Sequence, residues 1–126
     1  MRAIIALTCV LLSSPSLAST VRHRNLPERL WGTWAPSADR CRDNKSTVVV
    51  SETGFVTEQT RCQVHWVIET AGRSAPIYSV HMRCSSLAAP EQMTELNRII
   101  VPNDSSQLST GPDFKELKTY LRCPLE

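Results

Sequence analysis

The sequence predicts an all-β fold, a small antiparallel meander barrel of about six to eight short strands stapled by two disulfides. Three observations predict it. Short segments rich in Val, Ile, Thr, Trp and Tyr alternate with turn residues about every ten positions. Four cysteines, Cys41, Cys62, Cys84 and Cys123, are spread widely along a 126-residue chain. One hairpin register sets two of those cysteines face to face and separates an apolar from a polar face.

The chain opens on a secretory leader pattern. Arg2 supplies a positive start, Ala3 to Leu12 is apolar apart from Thr8, and Ser16-Leu17-Ala18 supplies small residues for cleavage. Cleavage is expected after Ala18. The apolar run is too short for a membrane span, which takes about 20 residues. The expected organisation is a signal peptide at 1–18, a flexible N-terminal arm at 19–30 and one barrel domain at 31–126. The mature chain is expected in the periplasm or secreted, with no membrane span. Removing Arg2 with the leader leaves 13 basic and 12 acidic residues, a net charge of +1. That balance argues against nucleic acid as a partner. The basic group Arg22, His23, Arg24 and Arg29 reads as a solvated part of the arm.

Cleavage also removes Cys9. An even set of four remains, and an oxidising compartment lets such a set persist as two disulfides. The spacings of 21, 22 and 39 residues lack the close cysteine pairs of a zinc site. Gln59 to Glu69 and Ile77 to Arg83 read as strands around the turn Ala71-Gly72-Arg73-Ser74. Centred on Arg73, the hairpin sets Cys62 opposite Cys84, Val64 opposite Met82, Trp66 opposite Val80 and Ile68 opposite Tyr78. Those eight side chains share one apolar face. The other face carries His65 opposite His81. A one-residue slip would separate the cysteines. The expected bridges are therefore Cys62–Cys84 and, by elimination, Cys41–Cys123, with the sequential pairing 41–62 and 84–123 as the alternative.

Elsewhere, Thr47 to Ser51 is a strand, Glu52-Thr53-Gly54 a turn, and Phe55 begins the approach to Cys62. Ser85 to Pro90 reads as a loop. Met93 to Val101 fits a helical stripe through Met93, Leu96 and Ile100, but its Ile-Ile-Val ending favours a strand. Pro102 to Ser106 is a turn, a short strand surrounds Leu108, Gly111-Pro112-Asp113 is a turn, and Thr119 to Cys123 is the last strand.

Gly32-Thr33-Trp34 looks like the opening motif of lipocalin-like proteins, in which the tryptophan closes one end of the barrel. Gly32-Thr33-Trp34-Ala35, the four cysteines and Arg122-Cys123-Pro124 together resemble small exported proteins of Gram-negative bacteria. That resemblance implies a periplasmic home and no particular activity. A more distant likeness is to periplasmic β-barrel inhibitors of lysozymes and proteases.

Candidate sites are sparse. His65 and His81, placed opposite, are two of the ligands a metal would need, with no third residue positioned; no metal and no cofactor is expected. No Gly-x-Ser-x-Gly elbow is present, so catalytic residues are not assigned and an enzyme is not expected. Trp66 belongs to the predicted core, whereas Trp31 is a candidate for the barrel rim. Pro102, Asn103 and Asp104, with the Ser85–Pro90 loop, are the candidate contact elements. The expected function is a non-catalytic binding or inhibitor-type module, its partner an unknown protein or small ligand of the cell envelope. The alternatives are a lipocalin-like carrier of a small apolar ligand and a small hydrolase.

Overall fold

The computed structural model describes residues 20–43 and 45–124. The leader and its cleavage site lie outside them. The fold is all-β, with nine strands among the described residues: β1 Thr20–His23, β2 Gly32–Ala35, β3 Val48–Val50, β4 Gly54–Val56, β5 Thr60–Thr70, β6 Ile77–Ser86, β7 Ala89–Pro102, β8 Gln107–Gly111 and β9 Lys118–Arg122. Strands β2 to β9 run antiparallel in the order β5-β4-β3-β2-β9-β8-β7-β6, and pairing of β5 with β6 closes the barrel. Closure removes the free edges over the paired lengths. Two disulfides, Cys41–Cys123 and Cys62–Cys84, staple it as the register argument required. The ambiguous Met93–Val101 segment is strand, inside β7. No helix among the described residues is long and apolar enough to cross a membrane.

The hairpin register holds for Cys62 opposite Cys84 and Val64 opposite Met82, then shifts by one at a bulge between Val64 and Trp66. Beyond it Trp66 faces His81, Val67 faces Val80 and Glu69 faces Tyr78. A bulge inserts one unpaired residue and reverses which side chains point inward. The inner face is therefore Cys62, Val64, Val67 and Glu69. Val67 and Val80 are fully buried, and Trp66 is turned onto the outer face. This corrects three expectations: Trp66 is not core, Ile68 does not face Tyr78, and His65 is not opposite His81.

The segment expected as a loose arm is ordered. Thr20–His23 pairs with Thr70–Val67 on β5, where β5 runs on past the short β4. Leu26 and Leu30 are then buried at 2% and 1% exposure, in the same cluster as Trp34, Phe55 and Tyr78. Apolar side chains inside an otherwise basic stretch supply the driving force. The Gly-x-Trp segment is itself a strand, β2, wedged between β3 and β9.

The two ends of the barrel differ. One is capped by the 3-10 turn Glu28–Leu30 and the buried Trp34. Trp34 donates its indole N–H to the Leu30 carbonyl at 3.0 Å. The Arg122 guanidinium lies 4.3 Å from the Trp34 ring and donates to the carbonyls of Trp31, Arg29 and Ser105. Gly32 is needed beside it. Its φ is +138°, and a Cβ there would stand 2.8 Å from Arg122 Nη1. The opposite end is open. There β7 runs on past β8, alongside β6, which β5 accompanies to its last residue. The expected Ser85–Pro90 loop is only the tight tip of the β6–β7 hairpin, since strand resumes at Ala89.

Candidate functional site

The barrel interior is filled. The space enclosed by Trp34, Val48, Val50, Phe55, Ile100 and Leu108 amounts to about 10 Å³, which is room for one water at most. Any site is therefore at the surface or at an end.

At the open end, two grooves meet at Arg98 and Pro112. One, of about 310 Å³, is walled by Phe55, Cys62, Met82 and Leu96. The other, of about 440 Å³, runs past Thr110, Glu116 and Lys118. Arg98 is placed between them by alternation along β7: Leu96, Arg98 and Ile100 share the inward face. Ile100 is buried, Arg98 half-buried and Leu96 46% exposed, so the face rises from the core to the rim. The guanidinium lies 4.9 Å from the Phe55 ring and donates to Thr110 Oγ1 at 3.2 Å. Thr110 in turn donates to the Ile99 carbonyl. Among the described residues, no carboxylate stands within ion-pairing distance of Arg98. Burial draws its pKa below the usual arginine value, with Tyr120 opposing the shift. A guanidinium has five N–H donors, and here one is bonded to the protein.

Sequence reasoning passed over Arg98. The available signal was a lone cation on the inward face of an apolar segment, in register with Ile100.

Four of the six large exposed apolar side chains also belong to this end: Leu87, Met93, Leu96 and Phe114. Residues 93–98 of β7 pair with β6 alone, because β8 begins its pairing at Ile99, opposite Gly111; Pro90, Glu91 and Gln92 form a bulge before Ala89 rejoins β6 opposite Ser86.

The other candidate residues lie elsewhere. His65 and His81 come within 6.0 Å, ring centre to ring centre, but His81 stacks on Trp66 at 3.9 Å and bonds Asn97 Oδ1 through Nδ1. Its Nε2 is 3.8 Å from Glu95. Arg22 lies over the Trp66 ring, 5.0 Å from its centre. Among the described residues, no group of three His, Cys, Asp or Glu is disposed to hold a metal ion. A second histidine–acid approach brings His23 to 3.8 Å from Glu69, which also interacts with the hydroxyl of Tyr78 opposite it.

Trp31, Pro102, Asn103 and Asp104 gather at the capped end, and their polar groups are used within the fold. Trp31 donates its indole N–H to the Leu26 carbonyl, Pro102 is buried, and Asn103 donates to Ser109. Asp104 accepts from the backbone of Ser106 and Gln107 and from the Ser106 hydroxyl. These bonds hold its carboxyl below the usual range, the Ser106 hydroxyl contributing most. The Pro102–Ser106 turn and the Ser85–Pro90 tip thus stand at opposite ends of the barrel and do not form one contact surface.

Comparison with protein-family models, curated proteins and solved structures returns no match to this chain.

Proposed function

We propose that the chain is an exported, non-catalytic binding module of the cell envelope that recognises a protein partner with the open end of its barrel. One observation carries the reading. Exposed apolar side chains and an unpaired half-buried cation gather at that end, while the capped end has spent its polar groups internally. Patches of this kind mark interaction sites. Export is part of the proposal, because both disulfides need an oxidising compartment. The filled interior counts against a carrier of small apolar ligands, whose site takes about 300 Å³ or more of enclosed space.

The test is photo-crosslinking in the periplasm of a Gram-negative host, with the photoreactive residue at Leu96 or, as a control, at Asn103. A discrete adduct from Leu96 and none from Asn103 is expected. No adduct from Leu96, or the same adducts from both positions, overturns the proposal. Intact mass of the purified protein checks export, with Ser19 expected as its first residue.

A further inference from the structure

The proposed binding end has a free strand edge, and the chemistry beside it defines what fits. From Met93 to Arg98, β7 is bonded to β6 on one side and to no described strand on the other. Alternate residues therefore point backbone N–H and C=O groups outward, a template for one more strand. Residues 90–97 are exposed. The slot ends where β8 takes over the ladder at Gly111, followed at once by Pro112. A chain running in the direction of β7 meets that end beside Arg98. It has to stop there, and a terminal carboxylate is the group Arg98 lacks.

We propose, resting on the binding-module reading, that this edge takes the extended C-terminal segment of a partner protein. The segment adds as a strand alongside Met93–Asn97, and its terminal carboxylate is held by Arg98. The flanking residues set the rest of its chemistry. Thr94 and Leu96 lie on the groove side, so the segment turns apolar side chains toward Leu96, Phe55 and Met82. Met93, Glu95 and Asn97 lie on the outer side, so a cationic residue is favoured beside Glu95. A second copy of this chain is the poorer occupant. Two-fold pairing centred on Thr94, Glu95 or Leu96 sets the two Glu95 side chains directly or diagonally opposite one another, where like charges repel.

The test uses the full mature protein with both disulfides formed, ¹⁵N-labelled. The probe is an eight-residue peptide alternating lysine and valine, ending in valine with a free carboxylate. Its C-terminally amidated form and a form N-methylated at alternate residues are the comparisons. Saturable shifts confined to the amides of 93–98 and to the Arg98 Nε–H are expected. Both modified peptides should bind about tenfold more weakly or worse, equivalent to about 1.4 kcal/mol. In Arg98→Gln the free-acid and amidated peptides should bind equally. Val49→Thr, at an exposed position of β3 away from this edge, keeps the fold and the preference for the free acid. Absence of saturable binding, equal binding of acid and amide to the unaltered protein, or shifts elsewhere overturns the proposal. So does sedimentation showing a dimer that protects the 93–97 amides. A Leu96 adduct without peptide binding removes the strand and keeps the module; peptide binding without an adduct does the reverse.

Discussion

Replacing Arg122 by alanine should unlatch the capped end. The guanidinium makes three hydrogen bonds to main-chain carbonyls, at 2.6 Å to Trp31, 2.6 Å to Arg29 and 2.9 Å to Ser105. It also covers the buried Trp34 ring at 4.3 Å. These bonds join three separate segments: the turn before β2, the turn after β7, and β9. The Trp31 carbonyl is half-buried and pays most for losing its donor, about 1 to 3 kcal/mol. The exposed carbonyls of Arg29 and Ser105 regain water and cost about 0.5 kcal/mol each. Losing the cation over Trp34 adds about 1 kcal/mol. The expected loss is about 3 to 5 kcal/mol, against a total of about 5 to 15 for a domain. Urea unfolding at neutral pH measures it: the midpoint should fall with the slope unchanged. In thermal unfolding the midpoint should drop by about 12 °C or more, at 4 to 8 °C per kcal/mol for a domain near this size. Arg122→Lys keeps the charge but not the fork of donors, and should recover less than half. A loss below about 1 kcal/mol in Arg122→Ala, or full recovery with lysine, would falsify the latch.

Gly32→Ala should destabilise by about 1 to 3 kcal/mol through its positive φ and the contact with Arg122; unchanged urea stability would remove the argument. In the chain-entropy model, opening the 82-residue separation of Cys41–Cys123 costs about 4 to 5 kcal/mol and the 22-residue one about 3. Reduction should therefore lower the urea midpoint markedly. Equal stability of the oxidised and reduced protein would show that the staples are dispensable. Asp104 has a depressed pKa, so its turn contributes stability above the ordinary value of 3.8 that is lost as pH falls through the lower folded value. The Ser106 and Gln107 amides should report a midpoint below 3.8 by NMR; a midpoint at or above it contradicts the bonding at that turn.

The fold was legible where pattern and cysteines constrained each other. Cys62 opposite Cys84 and Val64 opposite Met82 follow from one register, and the closing bridge follows by elimination. The same reasoning failed past Val64 because a bulge needs no glycine and leaves little trace in composition. Both settings of the register bury apolar residues, Trp66 and Ile68 in one and Val67 in the other. The barrel selects the second, with Val67 and Val80 both fully buried and Tyr78 at 1% exposure. β1 was missed for another reason. Its sequence is polar, and it exists because β5 outruns β4 and offers an edge at Val67–Thr70. Arg22 over Trp66 then helps hold it there. Turn chemistry identified Pro102–Ser106 correctly as a turn, but no sequence pattern states which end of a barrel a turn faces.

The split between the two ends follows from hydrogen-bond accounting. Folded proteins satisfy buried polar groups with the chain itself, with water or with a partner. At the capped end the chain supplies the partners. The indoles of Trp31 and Trp34 donate to Leu26 and Leu30, Arg122 reaches three carbonyls, and Asp104 accepts three bonds. A surface so committed holds the barrel together and has little left to offer a ligand. At the open end the balance reverses. Arg98 bonds one hydroxyl, and the outer edge of β7 bonds no strand. A solvated lysine there would lose less by standing alone. A half-buried arginine gains more from a planar anion, because two of its donors can meet two oxygens at once. Arg98 keeps donors beyond its bond to Thr110, and for that reason it is well placed to act on something outside the barrel.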